Sequence, residues 1–241
     1  AFSPIVREAG DLATALFDAR ARVVAQTIAG TPGHINSLAN AGAVMAKQFE
    51  GDLAPGDVLI TNDQWIGAGH FFDITVFAPI FMDARLIGYV GVTCHHTDIG
   101  GYGLGAGARD VHEEGLWIPP AKLYEAGKPN KLLHDIIKHN VRTPDYVFGD
   151  LAAQVSSCRT GAERVIAMCR MAVSVDPDAG EIVVDFAGSS GPSKTGINVV
   201  MNYTQAYAAF AVRICLNPEV PNNHGSLAPI RIVAPEGCIV N

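Results

Sequence analysis

Charge is scarce in this chain. Only 17% of its 241 residues are Asp, Glu, Lys or Arg, against about a quarter in ordinary globular proteins. Basic residues are the scarcer kind, 17 against 24 acidic, for a net charge of −7. Tracking phosphates needs a basic face, so a general nucleic-acid binder is excluded. A surface this lightly charged predicts burial against other chains, as in a hetero-oligomer. No apolar run approaches the ~20 residues of a membrane helix, so no membrane association is expected. The first residues, AFSPIVREAGD, show neither a basic n-region nor an apolar h-region and read as no signal peptide. Cysteine is sparse: Cys94, Cys158, Cys169, Cys215 and Cys238 are odd in number and form no CxxC. That pattern predicts reduced thiols and a cytoplasmic location. Repeats and low-complexity stretches are absent too.

What is present is a core and its punctuation. Apolar residues make up 49%, enough for one large domain or two small ones. The 25 Gly and 14 Pro divide strand-like from helix-like patterns. Residues 14–25 read as two short strands around a polar tip at Asp18–Arg20. Residues 36–49 read as a helix opened by Asn36 or Ser37, with Gly51 as its cap. VLIT (58–61), ITVFAPIF (74–81) and RLIGYVGVT (85–93) read as strands, the last two as a hairpin joined at Met82-Asp83-Ala84. Gly100–Gly107 is a loop. Residues 130–139 and 145–169 read as helices, the second with Pro144 in its first turn. A second hairpin spans 171–186, a helix 202–215 closed by Pro218 and Pro221, and a last strand 228–233. The expected fold is α+β: antiparallel hairpins and mixed sheet with flanking helices, in two lobes, 1–170 and 171–241.

The sharpest pattern flanks the first hairpin. TNDQWIGAGHFFD precedes it, with His70 and Asp73; CHHTDIGG follows, with His95, His96 and Asp98. A turn centred on Asp83 sets His70 opposite His96 and Asp73 opposite Thr93, so both clusters meet at the hairpin's open end. Imidazole and carboxylate are ligands of Zn²⁺, Mn²⁺ and Fe²⁺. Rigid strand ends carrying two His and an Asp leave open positions, as a hydrolytic metal centre needs. His70 and His95 are the imidazoles of choice, with Asp73 as carboxylate. His96, one residue on, points the other way in extended chain. Asp98 is placed to ligate or to orient an imidazole.

Other motifs carry less. Gly188–Thr195 resembles a phosphate loop but has Ser193 where Gly is required. The 100–107 glycines lack the strand-then-helix setting of a dinucleotide fold. Cys94 reads as buried in its strand rather than as a nucleophile. His34 and Asp11 can reach the site from the amino-terminal region, although helix-entry and loop roles suit their spacing better. Asn198, Asn222, Asn223 and His224 read as turn formers.

The runs GDVLITNDQWIGAGHFFDITVFAPIF, HHTDIGG, EEGLWIPPAKL, NVRTPDYVFGDLAAQ, VDFAGSS and PNNHGSLAPIRIVAPEG resemble the hydantoinase B/oxoprolinase family over essentially the whole chain. The resemblance implies one subunit, or half, of an ATP-dependent hydantoinase, 5-oxoprolinase or caprolactamase, or a subunit of an acetone or acetophenone carboxylase. Members are usually more than twice this length. They carry a helical stretch where Arg170 here meets Met171, and commonly have Pro where this chain has Gln64. The resemblance implies a divalent metal on His70, Asp73 and His95, with Asp11 as a further ligand. It places ATP and Mg²⁺ on a hydantoinase A-type ATPase subunit that phosphorylates a cyclic amide or ketone. Asp98, His96 and Glu113 are then the candidate catalytic proton relays. The expected enzyme is an amidohydrolase acting on cyclic amides. The alternatives are a carboxylase subunit and a non-catalytic scaffold.

Overall fold

The computed structural model describes residues 2–28, 30–169, 172–194, 198–216, 219–220 and 223–241. Arg170 and Met171, Thr195 of the phosphate-loop-like stretch, Pro218, Pro221 and Asn222 lie outside the described residues. The chain divides into two compact units, Ala1–Glu163 and Arg164–Asn241.

The first unit is built on β1 (Leu12–Asp18), β2 (Val23–Gln26), β3 (Val58–Thr61), β4 (Asp73–Met82), β5 (Arg85–His95), β6 (Ala121–Glu125) and β7 (Lys128–Pro129). They form one antiparallel sheet in the order β2-β1-β5-β4-β3-β6-β7. Its helices are α1 (Pro32–Gln48), the single turn α2 (Val111–Glu114), α3 (Lys131–Asn140) and α4 (Pro144–Cys169), whose last residues belong to the second unit. That unit holds β8 (Ala172–Asp176), β9 (Glu181–Asp185), α5 (Met201–Leu216), the single turn α6 (His224–Leu227) and β10 (Ile230–Val233). Its sheet is mixed: β8 and β9 are antiparallel, β9 and β10 parallel. The molecule is α+β, as expected.

Two expected elements shift. The helix placed at 36–49 begins at Pro32, with Thr31 as N-cap. Proline's fixed φ suits a first helical position, and its missing N–H costs nothing there. The central hairpin pairs two residues away from the expected register: Asp73 faces His95, and Thr93 faces Thr75. The connection is the tight pair Asp83-Ala84, both with positive φ (50° and 63°), as in a type I′ turn. A bulge between Ile80 and Phe81 adds a further offset. A shift of two residues keeps every side chain on its face, so the hairpin's orientation is as expected. The strands β6 and β7 were not anticipated, because their turn, Ala126-Gly127, sits within a short, polar, lysine-bearing run.

β4 and β5 are buried on both faces over most of their length, which explains their nearly continuous apolar runs. α4 covers one face. Gln154 Nε2 donates to the carbonyls of Ile74 (2.8 Å) and Val92 (3.2 Å). Burial pushes the thiol of Cys158, beside the Val90 carbonyl, up to about 12. On the other face Leu38, Ala41 and Met45 of α1 join Phe17, Phe77 and Tyr89 in the core. The Phe17 and Phe77 rings meet edge-on at 5.0 Å, and Phe77 stacks on Tyr89 at 4.7 Å. Gly91 lets α1 come this close: a Cβ there would stand 2.9 Å from both Leu38 and Phe77. Gly91→Ala is therefore expected to destabilise the chain by about 1–3 kcal/mol through overpacking, read as a lower urea midpoint at unchanged slope.

Candidate metal centre

Sheet pairing alone assembles three of the five residues at the centre. Leu12 of β1 pairs with Cys94 of β5, and Asp73 of β4 pairs with His95. Asp11, one residue before β1, accepts the His95 amide at 3.0 Å. Asp11, His95 and Asp73 thus form a row across the ends of three adjacent strands, at the end of the sheet where α1 begins.

The other two members come from outside the strands. His70 lies on the connection between β3 and β4, which Asn62 fixes. Its side chain donates to the carbonyls of Phe71 (2.8 Å) and Leu116 (2.9 Å) and accepts the Ile118 amide (2.7 Å). Asn40 of α1 holds the same connection by donating to the Ile66 carbonyl at 2.8 Å. Phe72 stacks nearly parallel on His95 at 5.4 Å and fixes its ring plane. His34 stands in the first turn of α1.

Asp73 is the hub. Its Oδ2 lies 2.8 Å from His34 Nε2 and 3.4 Å from His70 Nε2, and its Oδ1 lies 3.0 Å from His95 Nδ1. Asp11 stands 3.5 Å from His34 Nδ1 and 3.9 Å from His95 Nδ1. Burial alone would raise the Asp73 pKa. Hydrogen bonds from His34 and His95 and the imidazole charges overcome it and bring it down to about 2, so the carboxylate is ionised at neutral pH. The hydrogen bond to Asp73 raises the His34 pKa against the opposing effect of burial. Asp73, His34 and His95 are buried, whereas the His70 side chain is 41% exposed, so the centre opens on the His70 side.

The donor set fits a divalent cation. His70, Asp73 and His95 each offer a ligand atom, all within 4.8 Å of one another. Two nitrogens and an ionised carboxylate suit Zn²⁺, Mn²⁺ or Fe²⁺. The Nδ1 atoms of His34 and His70 are buried without a hydrogen-bond partner.

The expected proton relays do not join this cluster. His96 is fully buried on the opposite side of its strand, its Nε2 3.0 Å from Gln154 Oε1 and 3.6 Å from Cys94 Sγ. Alternation along β5 turns it towards α4, and burial lowers its pKa although the Gln154 contact opposes this. Asp98 accepts the amides of Gly100 (2.9 Å), Arg142 and Thr143 (2.9 Å) and pairs with the Arg142 guanidinium. Glu113, in the single turn α2, pairs with the exposed Arg109 at 2.6 Å. All three are committed to local structure. Conversely, His34 is no mere helix-entry residue: it bonds the central carboxylate. The signal that could have found it is Thr31-Pro32, a helix start that puts His34 in the first turn. Cys94 is buried in β5 as expected, and Asn223 caps α6.

The model of the family described as hydantoinase B/oxoprolinase matches residues 1–172 and 168–241. An uncharacterised protein of Methanocaldococcus jannaschii is 30% identical over 295 residues, covering 100% of this chain and 52% of that protein. The caprolactamase subunit beta of Pseudomonas jessenii is 32% identical over 167 residues, 68% of this chain and 29% of that subunit. A nucleotide-free structure of acetone carboxylase superposes with a TM-score of 0.64 at 20% identity, over 100% of this chain and 41% of that one; this likeness is one of fold. The chain spans about half the length, or less, of these relatives. With the family model matching residues 1–172 and 168–241, the chain belongs to the hydantoinase B/oxoprolinase family.

Proposed function

We propose that this chain supplies the cation-binding, ring-opening part of an ATP-dependent enzyme acting on cyclic amides. A separate hydantoinase A-type ATPase subunit, carrying ATP and Mg²⁺, activates the amide oxygen by phosphorylation in a cytoplasmic hetero-oligomer. The observation that carries the reading is the convergence of His70, Asp73 and His95 at one end of the sheet. Family membership and the caprolactamase relative support the substrate class.

An unstrained amide resists water because resonance removes the electrophilic character of its carbon. Phosphorylation of its oxygen ends that resonance. When bound, a divalent cation held by His70, Asp73 and His95, with Asp11 beside them, contributes Lewis acidity. This chain's residues do the positioning. Asp73 stays ionised at neutral pH, Phe72 fixes the ring of His95, and exposed His70 marks the side from which substrate approaches.

The test is His70→Ala in the complex with its ATPase partner. Cation content and hydantoin- or lactam-dependent ATP turnover with ring opening are both expected to fall by more than about 10²-fold, as when a transition-state interaction is removed. Retained cation and retained ring opening overturn the reading. Turnover that instead requires acetone or acetophenone with bicarbonate transfers the same centre to carboxylation.

A further inference from the structure

We propose that the first turn of α1 is a positioning clamp for the two carboxylates of the centre, with Thr31 setting Asp11 and His34 setting Asp73. The proposal rests on the cation-binding reading above and adds to it two residues that need not touch the ion.

The first observation is an N-cap that does not cap. Threonine before a helix ordinarily turns its hydroxyl to an amide of the first turn, stabilising the helix by about 1 kcal/mol. Thr31 has the extended backbone of an N-cap, φ −75° and ψ 118°, but its side chain makes no capping hydrogen bond. Its hydroxyl donates to Asp11 Oδ1 at 2.5 Å instead. The backbone carbonyl of Thr31 takes the His34 amide at 3.0 Å. The helix therefore begins without the side-chain cap its sequence offers, and the hydroxyl is spent on a carboxylate.

The second observation is independent of the first. His34 occupies the third helical position, where a capping box would place Glu or Gln reaching back to the N-cap. Its ring turns away from that role and donates from Nε2 to Asp73 Oδ2 at 2.8 Å, with its other edge 3.5 Å from Asp11. An ionised carboxylate only accepts, so the Nε2 proton and the ring orientation are fixed together. Two acids 62 positions apart in the chain are thus held by residues three apart on one helical turn. Pro32 pre-sets the φ of that turn, and the core contacts of Leu38 and Met45 anchor the helix behind it. Outer partners of this kind hold ligands in their binding rotamers.

The experiment titrates the purified chain with Mn²⁺ and with Co²⁺, alongside T31V, T31S, H34F and H34Q. T31V and H34F are each expected to weaken Mn²⁺ binding by about 10–100-fold. T31V should lower the melting temperature only slightly, since it loses the bond to Asp11 but no cap bond. T31S restores the hydroxyl and H34Q the Nε2 donor, so both should recover most of the affinity, with the visible Co²⁺ spectrum unaltered. Wild-type affinity in T31V and H34F overturns the proposal. So does a fall in melting temperature without a fall in affinity, which marks a purely structural role. H34Q as weak as H34F, with a changed Co²⁺ spectrum, makes His34 a ligand and also overturns it. If the unmodified chain binds neither ion, the cation-binding reading itself fails, and the clamp with it.

Discussion

Asp73→Asn is expected to abolish divalent-cation binding by the purified chain, by more than the ~10–100-fold that follows from losing an outer hydrogen-bond partner. Among the described residues, Asp73 lies within 3.4 Å of His34, His70 and His95 together. The amide has nearly the same shape but no charge, and it presents a donor where the carboxylate only accepts. Isothermal titration with Mn²⁺ reads the loss directly. A second signature is visible in the cation-free protein. The folded-state pKa of Asp73 lies at about 2, below its ordinary 3.8. A depressed carboxylate contributes stability above its unfolded pKa and loses it as pH falls towards the folded value. The wild-type chain in chelator should therefore lose on the order of 2 kcal/mol between pH 4 and pH 2 from this group. Asp73→Asn should flatten that part of the urea-midpoint profile. An unchanged acid limb together with unchanged Mn²⁺ affinity would remove Asp73 from the centre.

The convergence of these residues was legible for a simple reason. β4 and β5 are long, rich in apolar and β-branched residues, and joined by a short connection, so their pairing follows from pattern. Their register was not legible, because it depends on local backbone geometry. The two left-handed residues Asp83 and Ala84 and the bulge at Ile80 leave no composition signature. The error was harmless to the site because it was even: Asp73 still shares a face with His95. Parity likewise foretold that His96 would point away from its neighbour, but not that Gln154, 58 positions later, would meet it. His34 was undervalued because its partner is 39 positions distant and nothing local announces the contact. Asp98 and Glu113 stand outside the cluster for a different reason. A carboxylate beside a histidine motif reads as chemistry, while the amides and the arginine that claim it are supplied by other loops.

Asp98 gives the second large effect, and it falls on stability rather than chemistry. Its buried carboxylate gathers three backbone amides, from Gly100, Arg142 and Thr143, and the Arg142 guanidinium, which also reaches the carbonyls of Gly100 and Gly101. It thereby ties the start of the glycine-rich loop to the connection between α3 and α4. Gly100 and Gly101 are both left-handed there (φ 81° and 57°). A side chain at Gly100 would strike the Asn140 carbonyl, so the tie and the glycines belong to one close approach. Asp98→Ala strands these amides and is expected to cost about 3 kcal/mol. That is less than the sum of three charge-assisted bonds, because the Arg142 side chain is 60% exposed and rehydrates. The backbone amides hold the Asp98 pKa below its usual value although burial opposes them. This stability is therefore fully present above about pH 4 and is lost as pH falls further. A proton relay would show the reverse pattern: Asp98→Ala would spare the urea midpoint and depress turnover. A lowered midpoint with Mn²⁺ affinity kept in the folded fraction establishes Asp98 as a tether. His95, His96 and Asp98 of HHTD then serve three separate contacts: His95 in the candidate centre, His96 on Gln154 of α4 and Asp98 on the loop base.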